Sequence, residues 1–312
     1  MADCEKTAHR KTRLPQNREG AYILLSQTFR NGRREMAPGK AMIDYEAEFD
    51  ISALVPESAQ IKAGWERDAA AYRESAPCEL DRPYGPGPHL FYDLFHPTGG
   101  TEAGSIALFL HGGYWQAFDR KLFSHMARGL NAHGYTVCVA GYDLCPEVRI
   151  GDIVNDVRSL AEHLWATYRK PILTYGHSAG GHLTAALLAT DWRARRLPPA
   201  LAAAGMAISG LFDLVPLLDT SVNEALRMDQ KEAVANSPIA MGIPYGTKLI
   251  AAYGGEESNE FKRQSRVIVD FWTRGGSEAI LREEAGANHS SIIAPLADPD
   301  SSLVHDLAQL GK

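Results

Sequence analysis

Ser178 lies in the pentapeptide Gly176-His177-Ser178-Ala179-Gly180, and the residues on either side of it restrict what this chain can fold into. Residues 171–175 are a short apolar run suited to a buried strand. Residues 179–190 are rich in alanine and leucine, contain no proline and suit a helix. A serine on a sharp strand-to-helix turn takes a strained backbone angle. Its neighbours must be small to clear the strand and the helix. The pattern predicts an exposed hydroxyl near a helix N-terminus, where developing negative charge is stabilised.

A second fragment supports this reading. The apolar run 105–110 leads into His111-Gly112-Gly113-Tyr114-Trp115, a glycine-lined loop able to turn backbone N–H groups toward an oxyanion. Gly112, Gly113 and Tyr114, with Ala179 just after the serine, are the expected oxyanion-hole residues. Either fragment alone is a weak signal. The two in this order, each behind a strand-like run, describe an acyl-transfer site.

Strand and helix signals alternate along the chain. Strands are expected at 89–95, 105–110, 135–140, 171–175, 203–208, 248–253 and 278–282. Helices are expected at 58–73, 121–133 (stopped by Gly134), 153–168 and 179–190, with a further helical stretch near His305. Such alternation predicts an α/β class chain of the α/β-hydrolase type, with a mostly parallel central sheet flanked by helices. Residues 209–244 carry Pro216, Pro238 and Pro244 and read as a small cap-like excursion over the site.

A serine nucleophile needs a base, and the base needs an orienting carboxylate. In this fold the acid and then the histidine follow the serine along the chain. Three histidines remain: His182, one turn from Ser178 and expected to pack against the sheet, His305 in the C-terminal helical stretch, and His289. His289 follows the final strand, where the base must enter. The acid should follow the strand at 248–253, where Glu256 and Glu257 are adjacent; spacing alone does not choose between them.

Composition narrows the remaining classes. With 312 residues, 45% hydrophobic and 22% charged, residues 42–312 suffice for a single α/β domain. A net charge of −6 without a long basic run argues against nucleic acid as the main partner. No apolar run reaches membrane-spanning length, so no membrane role is expected. Cys4, Cys78, Cys138 and Cys145 are widely spaced, which fits free thiols and a cytoplasmic location. No metal-ligand spacing of the H-E-x-x-H kind occurs, and neither metal nor cofactor is expected. Residues 1–41 differ from the rest. They hold nine Lys/Arg against four Asp/Glu, whereas the remainder holds 23 against 34. They lack the apolar core of a secretory signal. A disordered extension is the favoured reading, with a start codon placed too early, ahead of Met36 or Met42, as its equal and organelle targeting as the lesser one.

The motifs together resemble the arylformamidase (kynurenine formamidase) family of α/β-hydrolases over roughly residues 45–291. His111 to Trp115 is similar to that family's oxyanion loop; related esterases usually have a third glycine where Tyr114 stands. Tyr142-Asp143-Leu144-Cys145-Pro146, Gly176 to Leu183, and Glu257-Ser258-Asn259-Glu260-Phe261 with Gln264-Ser265 fit the same pattern. The resemblance places the acid at Glu257, where the family often has Asp. It implies a Ser178–His289–Glu257 triad and an acyl-enzyme. It also implies hydrolysis of N-formyl arylamines such as N-formyl-L-kynurenine, as in tryptophan catabolism, with esterase side activity. It allows a homodimer. Tyr114 and Trp115 are expected to shape the acyl or aryl pocket, with Tyr142, Phe212 and Tyr245 as further substrate contacts. The rival readings are a broad carboxylesterase or amidase acting on another small aromatic ester or amide, and a catalytically silent binding protein on the same fold.

Overall fold

In the computed structural model, which describes residues 43–244 and 246–312, the chain opens with three helices: α1 (Tyr45–Phe49), α2 (Ile51–Leu54) and α3 (Ser58–Ser75). The extension expected over residues 1–41, and Tyr245, lie outside the described residues. Strands β1 (Cys78–Pro83), β2 (Phe91–Phe95) and β3 (Ile106–Leu110) follow. A 3-10 helix, Arg120–Ala127, then runs into α4 (Arg128–Ala132), followed by β4 (Val137–Ala140), α5 (Ile150–Tyr168) and β5 (Ile172–His177). The central pair α6 (Ala179–Leu188) and β6 (Ala204–Ile208) leads to an irregular stretch with a 3-10 turn, Val215–Asp219, and the short helices α7 (Asn223–Leu226) and α8 (Gln230–Ala235). The chain closes with β7 (Lys248–Gly254), α9 (Asn259–Arg274), β8 (Glu278–Glu284), a 3-10 helix, Ser291–Ala297, and α10 (Ser302–Leu310).

The eight strands form one sheet in the order β1-β2-β4-β3-β5-β6-β7-β8. Pairings from β4 through β8 are parallel, whereas β1–β2 and β2–β4 are antiparallel. Strands β3, β4 and β5 are buried along their whole length, which explains their unbroken apolar runs. Alternate residues serve opposite faces. Ile106, Leu108 and Leu110 pack with Ile153, Val157, Leu160 and Leu164 of α5, while Ala107 and Phe109 pack with Phe123, Met126 and Leu303. In α5 the apolar residues recur every three or four positions, so one stripe is buried and the opposite face stays wet.

The structure departs from expectation at three places. Residues 121–133 are largely 3-10 rather than one α-helix. Strand β1 is an exposed polar edge, kinked at Asp81 (φ 55°), so it carries no apolar alternation to read. Helix α9 is rich in charge; its buried stripe of Glu260, Phe261, Gln264, Ser265, Ile268 and Trp272 includes three polar residues, which masks the helical period. Among the described residues no helix is long and apolar enough to cross a membrane. Cys78, Cys138 and Cys145 are free thiols.

Candidate active site

The elbow is built by backbone crowding. Ser178, between β5 and α6, sits at φ 56°, ψ −116°, a conformation that costs a non-glycine residue about 1–3 kcal/mol. A Cβ added at Gly180 would lie 1.9 Å from the carbonyl oxygen of Leu110, and one at Gly176 would lie 2.4 Å from that of Gly180. No side chain fits at either position, so the two glycines allow β5, the turn and β3 to pack together. The Ser178 N–H donates to the Ile208 carbonyl at 2.8 Å, tying the turn to β6.

The oxyanion loop leaves the end of β3 and abuts the elbow. A Cβ on Gly112 would lie 3.1 Å from the Ser178 Cβ, and Gly113 takes φ +113°. Tyr114 and Trp115 also have positive φ, 47° and 57°. The Gly113 carbonyl accepts the N–H groups of Gln116 and Ala117, both at 3.0 Å, which turns the loop tightly. Among the described residues the Gly113 and Tyr114 N–H groups donate to no backbone carbonyl. The Ala179 N–H, first in α6, has no helical acceptor behind it.

Of the two adjacent glutamates, Glu257 meets His289 and Glu256 is exposed. The Nδ1 atom of His289 lies 2.5 Å from Oε1 of Glu257, whose side chain is fully enclosed. Its Oε2 accepts the Gly254 N–H at 2.8 Å. An ionised carboxylate can only accept, so Nδ1 carries the proton of that bond and Nε2 is left to act as a base. The ring of Phe261 packs against His289 at 4.3 Å. Behind it, Nε2–H of His177 donates to the His289 carbonyl at 2.7 Å. Burial, then the neighbouring His289, hold the His177 imidazole well below its ordinary pKa, so it stays neutral.

Ser178, His289, Gly112, Gly113 and Tyr114 line one cavity of about 680 Å³. Three residues expected at the substrate lie elsewhere. Trp115 is completely buried and donates its indole N–H to Nδ1 of His182 at 3.2 Å. Tyr142 stacks on His111 at 4.3 Å and donates its hydroxyl to the His111 carbonyl at 2.7 Å. Phe212 packs in the apolar cluster with Ile268 and Trp272. None of the three lines the cavity; Trp115 and Tyr142 hold the loop at 111–115 from behind. His182 likewise does more than pack on the sheet: opposite the Trp115 bond, its Nε2 donates to the Asn236 carbonyl at 2.7 Å, joining the oxyanion loop to the segment after β6.

Sequence reasoning missed most of the cavity's outer wall. The excursion at 209–244 contributes Thr220, Ser221 and Val222, but the larger share comes from the N-terminal helices, including Phe49, Asp50, Lys62 and Trp65. These helices are fastened to the rest of the fold. The Tyr114 hydroxyl donates to the Phe49 carbonyl at 2.8 Å, the Ser221 N–H donates to Glu46 at 2.7 Å, and the Glu260 N–H donates to Glu48 at 2.8 Å. Phe49 meets Phe261 edge-on at 5.7 Å. The one usable signal was the phenylalanine in an otherwise acidic short helix. Among the described residues no group of three or more His, Cys, Asp or Glu side chains is placed to hold a metal ion.

A sequence model of the α/β-hydrolase fold matches residues 107–262. The kynurenine formamidase of Salmo salar is 32% identical over 262 residues, covering 80% of this chain and 86% of the relative. That of Drosophila melanogaster is 27% identical over 232 residues, covering 70% and 77%. A solved structure provisionally described as a thioesterase, from a Silicibacter species, is 35% identical with a TM-score of 0.75, covering 85% of this chain and 98% of that one. An esterase from Pyrobaculum calidifontis, 16% identical with a TM-score of 0.64 over 84% of this chain and 96% of its own, shares the fold. The chain is a hydrolase of amide or ester bonds and belongs to the kynurenine formamidase family of α/β-hydrolases.

Proposed function

We propose that this hydrolase cleaves the formamide of N-formyl arylamines, with N-formyl-L-kynurenine as substrate, through a Ser178–His289–Glu257 triad and a formyl-enzyme. The observation that carries the triad is the enclosed Glu257–His289 contact at 2.5 Å, opening on the same cavity as Ser178. The substrate class is supported by the kynurenine formamidases of Salmo salar and Danio rerio, matched over 80% of this chain.

In this reading Nε2 of His289 takes the proton of Ser178 as Oγ attacks the formyl carbon. The N–H groups of Ala179 and of the Gly112–Tyr114 segment receive the developing oxyanion, and each such donor typically lowers the barrier by about 3 kcal/mol. An arylamine leaves poorly as an anion, so His289 returns the proton to its nitrogen. Water, deprotonated in turn by His289, then releases formate and restores the Ser178 hydroxyl. Glu257 fixes the tautomer and stabilises the imidazolium.

The test is kcat/KM on N-formyl-L-kynurenine beside p-nitrophenyl acetate, with Ser178→Ala as the control. Efficient formamide turnover that vanishes in the variant supports both substrate and mechanism. Ester hydrolysis alone would keep the serine chemistry and reject the formamide substrate. The thioesterase description of the 35% identical structure favours one second reading, a thioester substrate for the same triad, and an acyl-thioester in the same panel decides it.

A further inference from the structure

The mouth of the cavity carries charges that the bond-breaking chemistry does not use. Three charged side chains line it away from the reacting end: Glu46, Asp50 and Lys62. Glu46 is spent, because its two oxygens take the N–H and the hydroxyl of Ser221 at 2.7 and 2.5 Å. Asp50 uses one oxygen to accept the Ala53 N–H at 3.1 Å; the other has no partner among the described residues. The Lys62 ammonium has no carboxylate partner among the described residues. It lies 5.1 Å from the centroid of the Phe118 ring, which itself lines the cavity.

One uncommitted cation and one uncommitted carboxylate oxygen thus border a cavity whose wall also holds Trp65, Phe118 and Phe123, with the Trp65 and Phe123 rings 5.4 Å apart. An aromatic wall suits an aryl ring. A cation and an anion at one mouth complement a zwitterion, and the Phe118 ring holds the lysine ammonium at that mouth. A simple aryl ester or formanilide offers neither charge a partner.

We propose that Lys62 and Asp50 recognise the α-amino-acid head of the substrate, Lys62 taking the α-carboxylate and Asp50 the α-ammonium. The inference rests on the reading of the site as a formamidase for an amino-acid arylamine, and it names what selects that substrate over headless ones. Both residues are specificity determinants and neither touches the bond that breaks.

The test uses the full chain and inhibition of p-nitrophenyl acetate hydrolysis, so it does not require formamide turnover. L-Kynurenine is compared with 2-aminoacetophenone, which keeps the aryl ketone and lacks the head. In the unaltered protein L-kynurenine should inhibit more tightly, by roughly tenfold or more, the worth of one charged hydrogen bond. Lys62→Gln and Asp50→Asn, the latter keeping a side chain able to cap α2, should each shrink the ratio of the two inhibition constants toward one. Equal inhibition by the two compounds, or a ratio that Lys62→Gln leaves intact because both weaken together, overturns the proposal. Turnover of N-formyl-L-kynurenine, measured separately, decides the formamidase reading. The two can therefore fail independently.

Discussion

His289 and Glu257 share a 2.5 Å contact in which the carboxylate is enclosed and its second oxygen is occupied by the Gly254 N–H. The position of that glutamate is set by the turn after β7. A Cβ on Gly254 would lie 2.2 Å from the Ala287 carbonyl, so the turn carrying Glu257 and the loop carrying His289 are in direct contact. Glu257→Gln keeps the shape but presents an amide able to donate, which favours the wrong imidazole tautomer. The expected result is a fall in kcat of about 10³–10⁴ with little change in KM. Glu256→Gln, at an exposed position, serves as the control, and steady-state kinetics of the pair on one ester substrate measure the contrast. Equal effects of the two changes would remove Glu257 from the proposed relay.

Ser178 stores strain that a glycine would relieve. At φ 56°, ψ −116° any residue with a Cβ is disfavoured, whereas glycine reaches this region freely. Ser178→Ala and Ser178→Gly both lack the proposed nucleophile and should both be inactive. They should differ in stability, with the glycine variant about 1 kcal/mol more stable than the alanine variant in urea unfolding despite its more flexible unfolded chain. An alanine variant of equal or greater stability would mean that the elbow is not strained in solution.

The elbow and the parallel sheet were legible because their constraints are local. Two glycines either side of one serine, and apolar runs in front of each loop, are consequences of backbone crowding and full burial. The loop after the last strand, where His289 was expected, does bring that side chain to the cavity of Ser178. Spacing left Glu256 and Glu257 level, and burial separates them, with Glu257 the one that meets His289. Of the aromatic residues expected at the substrate, Tyr114 lines the cavity while Trp115, Tyr142 and Phe212 do not, because ring size says nothing about direction. Trp115 and Tyr142 are turned into the buried interior, where His182 and the His111 carbonyl take their polar atoms. The outer wall was illegible because it depends on contacts between residues far apart in sequence, such as Glu48 with Glu260 and Glu46 with Ser221.

Trp115 now has a structural role that can be measured. Its indole N–H meets Nδ1 of His182, and the Nε2 of His182 meets the Asn236 carbonyl, all within the buried interior. Trp115→Phe leaves the imidazole acceptor unsatisfied and a void where the second ring stood. A loss of about 1–3 kcal/mol in unfolding free energy is expected. A substrate contact would show instead as a raised KM. The expected signature is a lower urea midpoint with KM for p-nitrophenyl acetate changed by less than about twofold.

The buried histidines set how stability responds to acid. Burial pushes the imidazoles of His111, His125 and His182 from near 6.5 to about 4, and pushes that of His177 in the same direction. In the unfolded chain all four titrate near 6.5. Between about pH 6.5 and 4 the unfolded state therefore binds more protons than the folded one, so stability rises with pH across that window. It is fully present above pH 6.5 and is lost as the pH falls through the folded values. Asp156 acts in the opposite sense. Burial first, and then the charge of Asp143, raise its carboxyl to about 6, so its contribution is present in acid and lost as the pH rises through 6. Four imidazoles outweigh one carboxyl, and the urea midpoint should fall steadily from pH 7 to 4.5. His182→Gln removes one of the four, and its slope should be shallower by up to about 1.4 kcal/mol per pH unit. A midpoint that stays constant over this range, or a His182→Gln slope equal to that of the unaltered protein, would show that these imidazoles take up protons without unfolding.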